Sequence, residues 1–181
     1  MQAKDLLLTR SSMPRVVSPG PSAEQLRLLE QAALRVPDHM SLTPYTCLVY
    51  QGAALQQLSE IFTAVSKLED LTPAEQERAG QLPQRAPCVI VIATQYRAAE
   101  KVPQLEQYAS AACATMAMQQ MAFTLGLGAV WRTGVYAESK HMKAALEISS
   151  DNHIVGFLYV GTPAVPTPIK PSKDIQLFTQ M

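Results

Sequence analysis

Charge is scarce in this chain. Of 181 residues, Lys and Arg supply 15 and Asp and Glu 15, so 17 % are charged and the formal net charge is zero. No basic block occurs, which argues against a nucleic-acid partner. Cysteine is also sparse: Cys47, Cys88 and Cys113 lie far apart in apolar runs. An odd count without paired spacing argues against a disulfide framework and a zinc site. The three are read as small buried hydrophobes in a reducing, cytoplasmic compartment. His39, His141 and His153 show no metal-ligand spacing, and no serine or cysteine sits in a nucleophile elbow. At the N-terminus the apolar run is only Leu6-Leu7-Leu8, preceded by Asp5, so no signal peptide and no membrane span is expected.

What remains is a chain that is 48 % hydrophobic and long enough for one domain over residues 1–181 with a sizeable core. So little charge on so apolar a chain implies that some surface is buried against a partner, another copy of the chain being the simplest.

The organising stretch runs from Val102 to Gly134. Residues Gln104 to Leu125 read as one long helix, apolar nearly all round and therefore interior, with methionines filling gaps between small alanines. Gly126 and Gly128 end it, and Ala129-Val130-Trp131 restarts as a strand closed by Arg132-Thr133-Gly134. Gly126-x-Gly128 is no dinucleotide fingerprint, because that motif follows a strand and opens a helix.

Around this stretch, residues 2–9 form a short helix. Ser22 with Gln25 is a capping box opening a helix that ends near Arg35, before Pro37. Tyr45 to Tyr50 is a strand, Ala53 to Leu68 an amphipathic helix, and Thr72-Pro73-Ala74-Glu75 a second helix start. The segment up to Arg85 is the most polar and exposed. Two continuous apolar runs, Pro87 to Thr94 and Ile154 to Val160, are strands buried on both faces. Ser139 caps a short helix through Leu146. The proline-rich tail from Ala164 suits a segment reaching along a surface, with Ile175 to Phe178 as an added strand. The pattern is a layered α/β or α+β fold around a small sheet.

Three polar clusters interrupt the apolar chain: Arg10-Ser11-Ser12, Arg35 to Ser41, and Trp131 to Gly134. An arginine fork beside serine hydroxyls suits a phosphate, although Arg10 also suits a plain charge closing a helix C-terminus. His39, between prolines, is a donor to a ligand oxygen or a surface residue. Trp131 is a core aromatic or a site edge, where Gly134 lets a ligand approach the backbone.

Taken together, these clusters resemble the nitroreductase family, and its short members in particular. Lys101-Val102-Pro103 leading into Glu106, and Ile154-Val155-Gly156-Phe157-Leu158-Tyr159 ending in Gly161-Thr162-Pro163, extend the resemblance over nearly the whole chain. It implies an α+β fold: a central, mainly antiparallel sheet covered by helices, with a C-terminal segment extending onto a dimer partner. It implies bound FMN, with NADH or NADPH as electron donor, and two sites at a homodimer interface. Arg10, Ser11 and Ser12 then hold the FMN phosphate and ribityl region. Arg35 and His39 approach the flavin from the partner chain, and the backbone of Trp131, Arg132 and Thr133 runs along the isoalloxazine edge. The implied activity is a ping-pong reduction of nitroaromatics, quinones or similar small acceptors, with no catalytic side chain. The alternatives are a flavin-binding protein without turnover, and a reductase or dehydrogenase dedicated to one metabolite. Thr43-Pro44-Tyr45 stands where many relatives have Gln-Pro-Trp, and only Lys170 and Lys173 offer a basic phosphate ligand near the C-terminus.

Overall fold

The computed structural model describes residues 2–166, 169–171 and 174–181. Lys173 lies outside them. The described elements are α1 (Ala3–Thr9), β1 (Val16–Val17), α2 (Ala23–Ala33), β2 (Tyr45–Gln51), α3 (Ala53–Leu68), α4 (Pro73–Ala79), β3 (Cys88–Thr94), α5 (Gln104–Thr124), β4 (Gly128–Arg132), α6 (Val135–Glu138), α7 (Lys140–Ala145) and β5 (Ile154–Pro163). Short 3-10 turns at His39–Ser41 and Pro83–Arg85 join them.

The caps form as local chemistry dictates. Ser22 and Gln25 satisfy each other's backbone N–H groups at the start of α2, as Thr72 and Glu75 do for α4. Gly126, at φ 75°, ends α5: the Leu127 N–H reaches back to the Ala122 carbonyl (2.9 Å) and the Gly126 N–H to that of Phe123 (3.2 Å).

All strand pairs are antiparallel, and β5 is their hub. One of its edges carries β3, with β2 beyond; the other carries β4 and, past the end of β4, the two residues of β1. β3 is buried on both faces, as its apolar run predicts. Val89 and Val91 point with Phe157 and Tyr159 towards α3, α4, α6 and α7, where Phe62 and Met142 are fully buried. Cys88, Ile90 and Ile92 point with Leu158 and Val160 towards α2 and α5, where Leu29 and Met118 close the second core. Each large side chain so enclosed contributes about 1.5–3 kcal/mol.

Two expectations fail. α5 is not interior all round: Leu105 is 79 % exposed, Met116 46 %, and Cys113 lies exposed between them, against its expected burial. Apolar character on every side arises for a helix wrapped by its own chain, but equally for one that turns a face outward to another copy. Residues 175–178 form no strand within this chain; Ile175, Leu177 and Phe178 stand exposed. β1, by contrast, is unannounced in the sequence, because two valines become a strand only by pairing with Thr162 and Pro163.

A bulge in β5 shapes the end of the sheet. Ile92 faces Gly156 but Ala93 faces Ile154, so Val155 is the extra residue. Its carbonyl accepts a hydrogen bond from the Trp131 indole N–H (3.1 Å). The indole can lie there because residue 156 has no side chain: a Cβ would fall 2.1 Å from Trp131 Nε1 and 2.7 Å from the Arg132 carbonyl oxygen. Gly156→Ala is expected to cost about 2–3 kcal/mol. Thermal unfolding followed by circular dichroism should show a fall of roughly 5–10 °C, with a shift of Trp131 emission.

Candidate functional site

α5 is the jig on which the site loops are set. Three of its buried polar side chains find partners outside the helix, each on a different segment of the chain. Ser110 Oγ donates to the Pro37 carbonyl (2.9 Å), fixing the loop of the second cluster. Gln107 bonds the Arg97 N–H and the Arg97 and Val102 carbonyls, closing the loop before the helix. Gln119 reaches the Ala129 carbonyl (3.1 Å) and Ser12 Oγ (3.4 Å), tying the first cluster to β4.

Arg10 caps the C-terminus of α1 through its N–H to the Leu6 carbonyl (3.0 Å) and turns the chain outward. The strand-like run after it lies against β4: the Met13 N–H donates to the Ala129 carbonyl (2.9 Å). Gly128 permits this contact, since a Cβ there would sit 2.7 Å from Val16 and 3.2 Å from Met13. Along this run Arg10 Nη1 and Ser11 Oγ are buried with no hydrogen-bond partner.

Arg35 and His39 sit exposed near the opposite end of α5. His39 Nδ1 is 2.9 Å from Glu106 Oε2, and both side chains are about half exposed, at 54 % and 52 %. A carboxylate only accepts, so Nδ1 carries the proton and Nε2 is the free ring nitrogen. The loop that follows His39 is wound tightly: Met40, Ser41 and Thr43 all have positive φ, and the Asp38 carboxylate accepts from the Thr43 N–H (2.7 Å). Left-handed non-glycine residues in series store strain of the kind that gathers at ligand sites.

The third cluster ends β4. Trp131 covers the bulge, and the Arg132 guanidinium lies over the Tyr159 ring (5.7 Å to the centroid) with Nε buried and unpartnered. Thr133 and Gly134 are exposed, and Gly134, at φ 88°, opens α6. Residues 131–134 form one wall of a cavity of about 520 Å³, and the others include Arg85, Tyr136 and Tyr159. Those three the sequence reading missed: Arg85 closes a surface turn and Tyr159 sits mid-strand, so nothing local marks either.

One chain therefore does not unite the predicted residues. Arg10, Ser11 and Ser12 lie beside Gln119, while Arg35 and His39 lie beside Ser110 and Glu106. The nine-residue offset from Ser110 to Gln119 sets these groups about 14 Å apart along the helix. Trp131, Arg132 and Thr133 stand at the far end of β4 from the first cluster. Among the described residues no three His, Cys, Asp or Glu side chains gather as a metal site requires, and no helix is long and apolar enough to cross a membrane.

With two cores around a β5-centred sheet, loops pinned to one long helix and, among the described residues, three unpaired buried polar atoms, the architecture is that of a known class of protein. The nitroreductase family model matches residues 17–162, and the chain belongs to that family. It is 36 % identical over 163 residues to YdjA of Escherichia coli strain K12, named as an NAD(P)H nitroreductase; the match covers 90 % of this chain and 89 % of that protein. A nitroreductase-like family protein from Bacillus cereus superposes with a TM-score of 0.84 at 19 % identity, covering 99 % of this chain and 97 % of its own. A protein from Desulfovibrio desulfuricans, described as a nitroreductase and solved in complex with FMN, superposes with a TM-score of 0.74 at 19 % identity, covering 98 % and 96 %.

Burial pushes the Tyr159 hydroxyl up from 10.0 to about 12, against the opposing pull of Arg132 and Arg85. A raised acid holds its proton longer in the folded state. Its stabilising contribution is complete below pH 10.0 and is lost as the pH climbs towards about 12. Titration of tyrosinate absorbance should show one hydroxyl ionising last, and unfolding by denaturant should grow easier across the same interval.

Proposed function

We propose that this chain is a single-domain, FMN-dependent oxidoreductase that uses NAD(P)H to reduce nitroaromatics, quinones or similar small acceptors, as a cytoplasmic homodimer. The observation that carries the reading is the set of buried, unpartnered atoms: Arg10 Nη1, Ser11 Oγ and Arg132 Nε. A buried guanidinium or hydroxyl without a partner costs about 1–3 kcal/mol or more unless a ligand supplies one. All three belong to residues the family resemblance assigns to FMN, and an anionic phosphate with an oxygen-rich ribityl chain suits that donor set. The free thiols of Cys47, Cys88 and Cys113 agree with a reducing compartment.

FMN, when bound, supplies the redox chemistry, taking a hydride from NAD(P)H and returning two electrons to the acceptor. The chain's task is position and electrostatics. Arg10 and the Ser11 and Ser12 hydroxyls hold the phosphate and ribityl end, on a loop that Gln119 and Ala129 keep in place. The Trp131, Arg132 and Thr133 backbone lines the ring, and Arg132 brings a cation to it. A quinone gains two electrons and two protons; a nitro group takes the same and becomes a nitroso group with loss of water. NAD(P)H provides one proton with its electron pair, and solvent provides the other.

A second copy completes the site. Leu105, Ala109, Cys113 and Met116 make an exposed, largely apolar stripe along α5. Antiparallel packing of two such helices about a twofold axis near Cys113 brings Arg35 and His39 of one copy beside Arg10 to Ser12 of the other. The tail supports the same assembly. β2 ends the sheet with an open edge, next to a groove of about 430 Å³ lined by Leu26, Leu29, Tyr45 and Cys47. Ile175, Leu177 and Phe178 are exposed and suited to fill such a groove on a partner.

The decisive experiment is the visible spectrum after incubation with FMN and desalting, followed by anaerobic addition of NADH or NADPH. Flavin bands near one per chain that bleach with the nucleotide support the proposal; a colourless protein ends it. Arg10→Ala is expected to weaken FMN binding about ten- to a hundredfold in equilibrium dialysis. Met116→Glu should turn the dimer into monomers in light scattering and release FMN with it, because a charge is then placed in the apolar seam.

A further inference from the structure

The cavity at the end of β4 holds two guanidinium groups and a carboxylate partner for neither. Arg132 enters from β4 and Arg85 from the Pro83–Arg85 turn. Both lie near enough to the buried Tyr159 hydroxyl to favour its ionised form. Among the described residues the ion pair within 4.0 Å is His39–Glu106, remote from this cavity in the fold. The acidic group facing this region is Glu75, which acts on Tyr136. Its carboxylate is already held by the Thr72 N–H (3.0 Å) and hydroxyl (2.6 Å). The remaining walls are flat and apolar: Phe62 stacks on Tyr136 (centroids 4.3 Å apart) and meets Phe157 edge-on (5.2 Å).

We propose that this cavity selects a planar aromatic acceptor carrying one negative charge, and that Arg85 is the group that receives that charge. The inference rests on the functional reading above and names its substrate class. A charge count drives it. A flavin reduced by two electrons would carry one negative charge at neutral pH, and Arg132, whose buried Nε has no protein acceptor, would be the cation that balances it. Arg85 is then the surplus positive charge. Once an aromatic ring fills the cavity and expels water, that surplus is worth most to an anion on the ring itself, because charge pairs strengthen as the dielectric falls. A guanidinium fork binds a ring carboxylate in two parallel hydrogen bonds, which also fixes the ring's lateral position. A neutral ring of the same shape gains the aromatic walls but leaves Arg85 to water. Arg85 is exposed and closes a short turn, so replacing it leaves both cores intact.

The test compares para-nitrobenzoate with para-nitrobenzamide as acceptors for the FMN-loaded protein, in the wild type, Arg85→Ala and Arg85→Lys. Benzoate and benzamide are titrated in parallel into the oxidised proteins and followed by the flavin difference spectrum. The wild type is expected to prefer the anion in kcat/KM and in binding. Arg85→Ala should lose about ten- to a hundredfold for the anions, with the amides unchanged, and Arg85→Lys should recover part of the loss. A wild type with no preference, or an Arg85→Ala protein that loses anion and amide equally, overturns the proposal; the second result makes Arg85 a flavin partner instead. A protein that fails to retain FMN overturns the preceding functional reading. The present inference is then decided on the fluorescence of Trp131, the chain's only tryptophan and a wall of this cavity. Equal benzoate and benzamide affinities there overturn it.

Discussion

A buried amide or hydroxyl must be hydrogen-bonded, and on α5 that requirement organises the molecule. Gln107, Ser110 and Gln119 sit one to three turns apart on a helix otherwise made of alanine, methionine and other small or apolar groups. None of them finds its partner within the helix alone. Gln107 and Ser110 reach the backbone of connecting loops, and Gln119 reaches the Ala129 carbonyl of β4 and the Ser12 hydroxyl, so three segments are set by the rise and rotation of one helix. The helix core provides the affinity for the sheet, and the polar groups provide the address. An apolar residue at any of these places would leave the helix buried but its loop without a fixed position.

How far this was legible in the sequence depended on how local the cause was. Capping boxes at Ser22 and Thr72 declare themselves within four residues and were read correctly, as was the doubly buried run of β3. The clusters at Arg10, Arg35 and Trp131 stood out because charge is scarce in this chain, and only the family resemblance linked them. Features made by distant partners were not visible. Val16 and Val17 become a strand only through β5. Arg85 and Tyr159 meet only because a turn after α4 folds over the sheet. The outward face of α5 and the exposure of Cys113 were misread, since hydrophobic patterning alone does not say what covers an apolar face.

The two faces of the sheet divide the labour. On the α2–α5 face the core is small-grained, with Ala111, Ala114 and Ala122 of the long helix among the residues packed on β3 and β5. The opposite face is aromatic: Phe62, Tyr136, Phe157 and Tyr159 leave room at the edge of β4 rather than filling it. The bulge at Val155 is the joint between the two regimes. It releases one carbonyl, which the Trp131 indole takes up, and so a tryptophan that belongs by chemistry to the core is held at the rim of the cavity.

The position of β5 in the chain bears on how the protein comes to be made. β1, β3 and β4 all pair with it, yet it begins only at Ile154. Until those residues leave the ribosome, β4 has beside it only the run that holds Met13, and β3 has only β2. Between the completion of α5 and the arrival of β5 the emerging chain therefore exposes apolar helix surface and unpaired strand edges, a state prone to unwanted association. Sheet closure is a late, long-range event, and a chain of this design should depend on chaperones more than its modest size suggests.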